Sequence, residues 1–162
     1  MEIREANDGD IPGVRGVAQR SWETDYPDIL SRETIDETVE EWYSPEQLGF
    51  DIESDDAHVV VAIGDDGGVV GFAHAITADE IGTLLRLYVD PDSRGAGIGT
   101  RLLDGTCGAL AAEGCSRIEA MVLEENEPGN AFYREYGFEP ERESETVIGD
   151  ETYDEVVYSL TV

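Results

Sequence analysis

The run Asp90-Pro91-Asp92-Ser93-Arg94-Gly95-Ala96-Gly97-Ile98-Gly99-Thr100 combines residue types and spacing that can do chemistry. It lies between an apolar strand pattern and a helical one. Glycines in that position let successive backbone N–H groups converge on an anion, and the N-terminus of the following helix adds its own positive end. A phosphate is the ligand class this geometry serves. Common phosphate loops do not fit. No Gly-Lys-Ser/Thr follows, which excludes the P-loop, and the third glycine of a dinucleotide fingerprint would fall at position 100, which is Thr100. All ten basic residues are Arg, so there is no lysine to hold nucleotide phosphates in the kinase manner or to form a Schiff base. From spacing alone, a plain Gly-rich turn remains open.

Other chemistries are poorly supplied. His58 and His74 are the only histidines, too few and too separated for a zinc site, so no metal is expected. Cys107 and Cys115 span the end of a helical pattern. A helix of that length covers about 12 Å, too far for a disulfide, so two packed, reduced thiols are expected. The charge balance is 38 acids against 10 bases, net −28, with the acids spread from Glu2 to Glu155. Such a surface repels nucleic-acid backbones. A dispersed acidic coat suits concentrated salt, where screening contracts to about 3 Å, and the chain reads as salt-adapted, of haloarchaeal type. No apolar run of about 18 residues predicts a membrane span. The start Met1-Glu2-Ile3-Arg4-Glu5 has no secretory pattern. A cytoplasmic protein without membrane or nucleic-acid partners is expected.

The elements that must position the loop follow from periodicity. Met1–Ala6 reads as a strand. Asp10 is placed to cap a helix carrying Ile11, Val14, Ala18 and Trp22, which Pro27 ends, and Ser31 to cap a second with Ile35, Val39 and Trp42. Residues 43–56 read as loop. Strands are expected over 58–63 and 69–77, joined by Asp65-Asp66-Gly67-Gly68, and over 81–89. A helix carrying Ile98, Leu102, Leu103, Cys107, Leu110 and Ala111 stops at Gly114. A strand at 118–123, a short helix at 131–136 and a hairpin of 146–148 with 152–160 around Gly149-Asp150 complete one α/β domain over 1–162.

The pattern Leu87-Tyr88-Val89-x-Pro91-x-x-Arg94-Gly95-x-Gly97-Ile98-Gly99, then Leu102-Leu103, a strand, Asn126, and Asn130-Ala131-Phe132-Tyr133-x-x-Tyr136-Gly137-Phe138, resembles the GNAT-type N-acetyltransferase superfamily. The motifs occupy residues 80–140, and the order of elements extends the resemblance over nearly the whole chain. It implies an α+β domain with a mixed sheet of about six to seven strands, about four helices, and strands that splay at the cofactor site. It implies acetyl-CoA as co-substrate and direct transfer to a small-molecule or peptide amine, in a monomer or homodimer. Arg94, Gly95, Ala96, Gly97, Ile98, Gly99 and Thr100 would wrap the pyrophosphate, with Arg101 and Arg134 relieving the local negative charge. Leu87, Tyr88 and Val89 would pair with the pantetheine arm, the Val89 N–H polarising the thioester carbonyl. Asn126, with Asn130 beside it, would bind the same arm, and Tyr133 would protonate the departing thiolate.

The proton acceptor is less determined. Two positions where relatives carry Glu are Thr83 and Met121 here. Glu119, which shares strand parity with Met121, and Glu80 are the candidates, with solvated surface carboxylates as the alternative. Trp22, Tyr26 and Tyr153 are expected to line the acceptor pocket, with Trp42 better suited to the core; Asp25 or Asp28 could hold a cationic amine. A non-catalytic acyl-CoA-binding domain on the same fold is the alternative function.

Overall fold

The computed structural model describes residues 1–162. Its strands are β1 (Glu2–Glu5), β2 (Ala57–Ile63), β3 (Val69–Ala78), β4 (Ile81–Val89), β5 (Arg117–Leu123), β6 (Glu139–Ile148) and β7 (Glu151–Thr161). Its helices are α1 (Ile11–Asp25), α2 (Arg32–Trp42), α3 (Pro45–Glu53), α4 (Ile98–Ala112) and α5 (Glu127–Tyr136). The strands form one mixed sheet in the order β1-β2-β3-β4-β5-β7-β6, and only the β4–β5 pair is parallel. Helices cover both faces, as such a sheet requires to bury its two apolar surfaces.

Strand alternation sorts the core into two layers. Phe72 on β3 faces α1 and α2 and joins Val14, Trp22, Tyr43 and Leu123. Its neighbours Ala73 and Ala75 face the other way, toward Leu103, Leu110 and Tyr133 of α4 and α5. Each large apolar side chain fully buried in these layers is worth roughly 1.5–3 kcal/mol. Trp22 anchors the first layer through edge-on contacts with Tyr26, Trp42 and Tyr43, at centroid distances of 5.0, 5.5 and 6.5 Å.

Local signals account for most helix starts. Ser31 and Ser44 accept the Thr34 and Gln47 backbone N–H groups at α2 and α3. Asp10 does not cap α1 as expected: its carboxylate closes a capping box on Asn7 and pairs with Arg4 at 2.7 and 3.0 Å. Three further expectations are corrected. Residues 43–56 are not loop, because Ser44 caps and Pro45 opens α3; that helix buries only Leu48, so its apolar period was too weak to read. The helix count is therefore five. Strand β6 begins at Glu139 rather than at position 146, because its pairing to β7, not burial of its largely exposed side chains, holds it extended.

Two irregularities in β4 open the sheet. An extra residue, Leu85, stands between the pairs Ala75–Leu84 and His74–Arg86, a bulge on β4. Pairing with β5 stops at Leu84–Ala120, although β4 runs on to Val89 and β5 to Leu123. The two strands thus diverge over their last residues and leave a wedge between them.

Candidate active site

The wedge opens a cleft of about 510 Å³. One wall is the free edge of β4. Asp90 N–H donates to Val70 O on β3. Strand N–H groups alternate in direction, so the Val89 N–H points away from β3 into the gap. Leu87, Tyr88 and Val89 all line the cleft.

The mouth is the loop between β4 and α4. Gly95 and Gly97 take φ of +84° and +78°, the left-handed region that suits glycine. Gly97 is also the N-cap of α4, and no side chain caps that end. The first-turn N–H groups of α4 therefore lack intrahelical or capping partners and face the mouth with the helix dipole behind them. Arg94, Gly95, Gly97, Ile98, Gly99 and Thr100 line this end; Ala96, expected among them, does not. A Cβ on Gly99 would stand 3.3 Å from the Phe132 ring, so its absence seats α4 close against α5. Uncapped N–H groups, left-handed glycines and an unpaired strand edge fit a ligand with a diphosphate at one end and an amide-bearing arm.

Arg94 departs from expectation. Its guanidinium binds the Asp25 carboxylate in bidentate fashion at 2.6 and 2.9 Å, and Nε donates to Val89 O at 3.0 Å. Asp25, suggested as an amine holder, is thereby committed. Arg101 and Arg134 are exposed.

The opposite wall comes from α5 and β5. Asn126 lines the cleft and caps α5 by accepting the Gly129 N–H at 3.1 Å. Tyr133 lines it too, packed against Phe132, Phe138 and Tyr158. Burial pushes the Tyr133 phenol well above its usual range, so it is a proton holder at neutral pH. Asn130 is not on the cleft. It is buried, donates to the carbonyls of Leu123 and Asn126 at 3.0 and 2.7 Å, and accepts from the Tyr158 hydroxyl at 2.6 Å. It ties the β5–α5 turn, with its amide nitrogen already committed to backbone carbonyls.

Trp22 and Tyr26 line the far end, joined by Trp42, which is not confined to the core. The Tyr26 hydroxyl lies 3.4 Å from that of Tyr88, and burial pushes the Tyr26 phenol up to about 12. Tyr153 is elsewhere: it lines a separate small pocket beside Glu125 and donates to Glu151 at 2.8 Å. Cys107 and Cys115 are buried, free thiols away from the cleft, and burial pushes the Cys107 thiol up to about 11, the opposite of a nucleophile.

Neither carboxylate candidate reaches the cleft. Glu119 is held by Arg142 at 3.0 and 3.2 Å and by Arg117 at 3.2 Å, and the Arg142 hydrogen bonds hold its carboxyl below the usual range, making it a poor base. Glu80 is exposed before β4, about 30 Å along the strand from Val89 at the usual rise per residue.

Sequence reasoning missed Glu155. It is half-buried on β7, paired in register with Leu123 of β5 and Ser144 of β6, and it lines the cleft. Burial raises its carboxyl pKa, with Ser144 opposing in part. In an acidic chain nothing local marked it out. Only the β5–β7 register brings it beside the wedge. Arg86, also missed, lines the same end from β4.

Comparison with known proteins bears on this arrangement. Residues 17–138 match the model of the "Acetyltransferase (GNAT) family". The chain is 29% identical over 144 residues to a spermidine N(1)-acetyltransferase of Thermoplasma acidophilum, covering 87% of this chain and 89% of that one. It superposes on the crystal structure of PaiA N-acetyltransferase from Thermoplasma acidophilum in complex with coenzyme A with a TM-score of 0.88 at 27% identity, over 99% and 98% of the two chains. A GCN5-related N-acetyltransferase from Rhodopseudomonas palustris shares the fold, with a TM-score of 0.82 at 19% identity over 99% and 95% of the chains.

Proposed function

The chain belongs to the GNAT acetyltransferase family, which uses acetyl-CoA as co-substrate, and on that premise we propose that its wedge between β4 and β5 transfers acetyl directly to a primary amine, with Glu155 as proton acceptor. The observation that carries this reading is the convergence in one cleft of an unpaired β4 edge, an uncapped α4 N-terminus, a protonated phenol and a half-buried carboxylate. The relative named for spermidine supports an amine acceptor.

Acetyl-CoA supplies the thioester as acyl donor. The α4 N-terminus and the loop through Gly95 and Gly97 take the diphosphate, with Arg94 close by on Asp25. The Val89 N–H stands where a carbonyl oxygen gains charge. An attacking amine must be neutral. A carboxylate whose pKa burial has raised is better matched to that proton than an ordinary surface Glu, and Glu155 accepts it directly or through water. Tyr133 keeps its proton for the departing thiolate.

The chain also fits a concentrated-salt compartment. Its net charge of −28 with no lysine supports salt adaptation inside a cell. Screening at molar KCl would relieve the self-repulsion, so melting temperature should climb from low to molar KCl; a flat profile overturns the salt reading. The transfer reading is tested by calorimetry of CoA and by thiol release from acetyl-CoA over a panel of amines in molar KCl. Saturable CoA binding and amine-dependent release are expected. No CoA binding overturns the assignment of the cleft; binding without release for any amine overturns the transfer.

A further inference from the structure

Arg86 is the half-buried arginine of this chain that has no carboxylate partner. Arg4, Arg15, Arg20, Arg94, Arg117 and Arg142 each pair with an Asp or Glu. Arg32, Arg101 and Arg134 are exposed, where water solvates them. Arg86 rests instead on two aromatic faces, its guanidinium carbon 4.7 Å from the Trp42 ring centre and 5.5 Å from that of Tyr43. Its Nε is enclosed with no hydrogen-bond partner. Two neighbouring groups, Trp22 Nε1 and the Tyr43 hydroxyl, are enclosed as well. In a chain with 38 acids an unpaired arginine is conspicuous, because a partner is available at almost any surface. A half-buried guanidinium whose Nε is enclosed with no anion beside it loses hydration, and aromatic faces recover only part of that cost.

The position gives the charge a use. Arg86 and Tyr88 are two apart on β4 and share its face toward α1 and α2, and Arg86 lines the cleft beside Trp22, Trp42 and Tyr88. This is the end away from the Gly-rich mouth, so the diphosphate does not reach it. Of the groups collected there, the Arg86 guanidinium and the Trp22 indole N–H only donate, while the tyrosine hydroxyls donate or accept. A cationic donor with no acceptor of its own selects a ligand that brings one.

We propose that Arg86 anchors a carboxylate on the acceptor, so that the amine acetylated belongs to an amino-acid-type molecule rather than to a simple polyamine. The proposal rests on the acetyl-transfer reading of the cleft. It divides the acceptor between two opposite charges, with the amine toward Glu155 and the carboxylate on Arg86. A polyamine would set like charge against an arginine that has no anion to offset it. A planar, bidentate guanidinium suits a carboxylate in particular.

The test compares amino acids with their decarboxylated counterparts in the same assay: lysine with cadaverine, ornithine with putrescine, tyrosine with tyramine. For the wild type, kcat/KM should favour the amino acid in at least one pair by about tenfold or more. Arg86→Met should raise KM for that amino acid by about tenfold while leaving KM for the decarboxylated amine unchanged or lower, with Arg86→Lys recovering part of the loss. Preference for the decarboxylated member in every pair, or an equal effect of Arg86→Met on both members, overturns the proposal. Should Arg86→Met fail to fold by melting, the wild-type preferences and Arg86→Lys decide the matter. Calorimetry of CoA on the wild type separates the two readings. Without CoA binding the cofactor site itself is wrong; with CoA binding and transfer but no carboxylate preference, only the role of Arg86 is lost.

Discussion

The two ends of the cleft are built on different plans. The mouth uses main chain: residues 87–100 run continuously from the free β4 edge through left-handed Gly95 and Gly97 into the uncapped α4. The far end uses side chains from separate elements, Trp22 from α1 and Tyr26 just after it, Trp42 from α2, Arg86 from β4 and Glu155 from β7. A main-chain site is written in one stretch of chain and depends on backbone angles. A side-chain site is written in the register between strands and can change one residue at a time while the mouth stays the same. In the proposed function the mouth serves a fixed co-substrate, and the far end is proposed to set which amine is accepted.

Substitutions at each end should separate these roles. The largest effect is expected from Glu155→Gln: kcat falls by about 100-fold, a typical loss for a general base, while CoA affinity stays within about twofold. Because burial raises the Glu155 pKa, the charged form is disfavoured by the fold. Activity should therefore fail on the acid side at a pH above the ordinary Glu range, and Glu155→Gln should keep or raise the melting temperature at neutral pH. A CoA affinity that collapses with this substitution would erase the division between the ends. Gly97→Val should do the converse: a side chain at positive φ costs about 1–2 kcal/mol, so the free loop relaxes away from the binding geometry and CoA weakens by about tenfold. Isothermal calorimetry reads that loss, and the KM for the amine should barely move.

A smaller effect tests the link between the ends. Asp25→Asn frees Arg94 from its bidentate partner and should tighten CoA by about threefold at low salt, less in molar KCl. Weaker binding instead would mean that Asp25 positions Arg94 for the anion. The smallest effect lies outside the cleft. Arg4 holds Asp10, and Arg142 holds Glu119, below their usual ranges. A carboxylate with a depressed folded pKa adds stability that is fully present above its unfolded value and is lost as pH falls through the folded one. Melting temperature should thus decline as pH drops below the ordinary values of 3.8 and 4.5, and Asp10→Asn should flatten the Asp10 share of that decline.

The same contrast explains what could be read in advance. The loop, the strands around it and the family resemblance were legible because their signals lie within short windows: glycine spacing, apolar alternation and Asn126 three residues before Gly129, whose N–H its side chain accepts. Helix α3 escaped because its apolar period is faint, and β6 because an alternation of charged residues gives no burial signal. Asn130 has the residue type and place of a ligand contact, but its amide is consumed by the turn and by the Tyr158 hydroxyl. Glu119 and Glu155 are alike in composition. Register alone puts one beside Arg142 and the other on the wedge. No window of sequence contains that information.

The extra residue at Leu85 acts as a gear between the two halves of β4. Up to Leu84 the strand is zipped to its parallel neighbour; beyond it, the side-chain sequence has been stepped by one. Removing Leu85 would force one half to rotate, either unseating Leu84 from the layer beneath α4 or turning Arg86 and Tyr88 away from the α1 side. One inserted amino acid thereby lets a single strand serve as structural beam at one end and as workbench at the other.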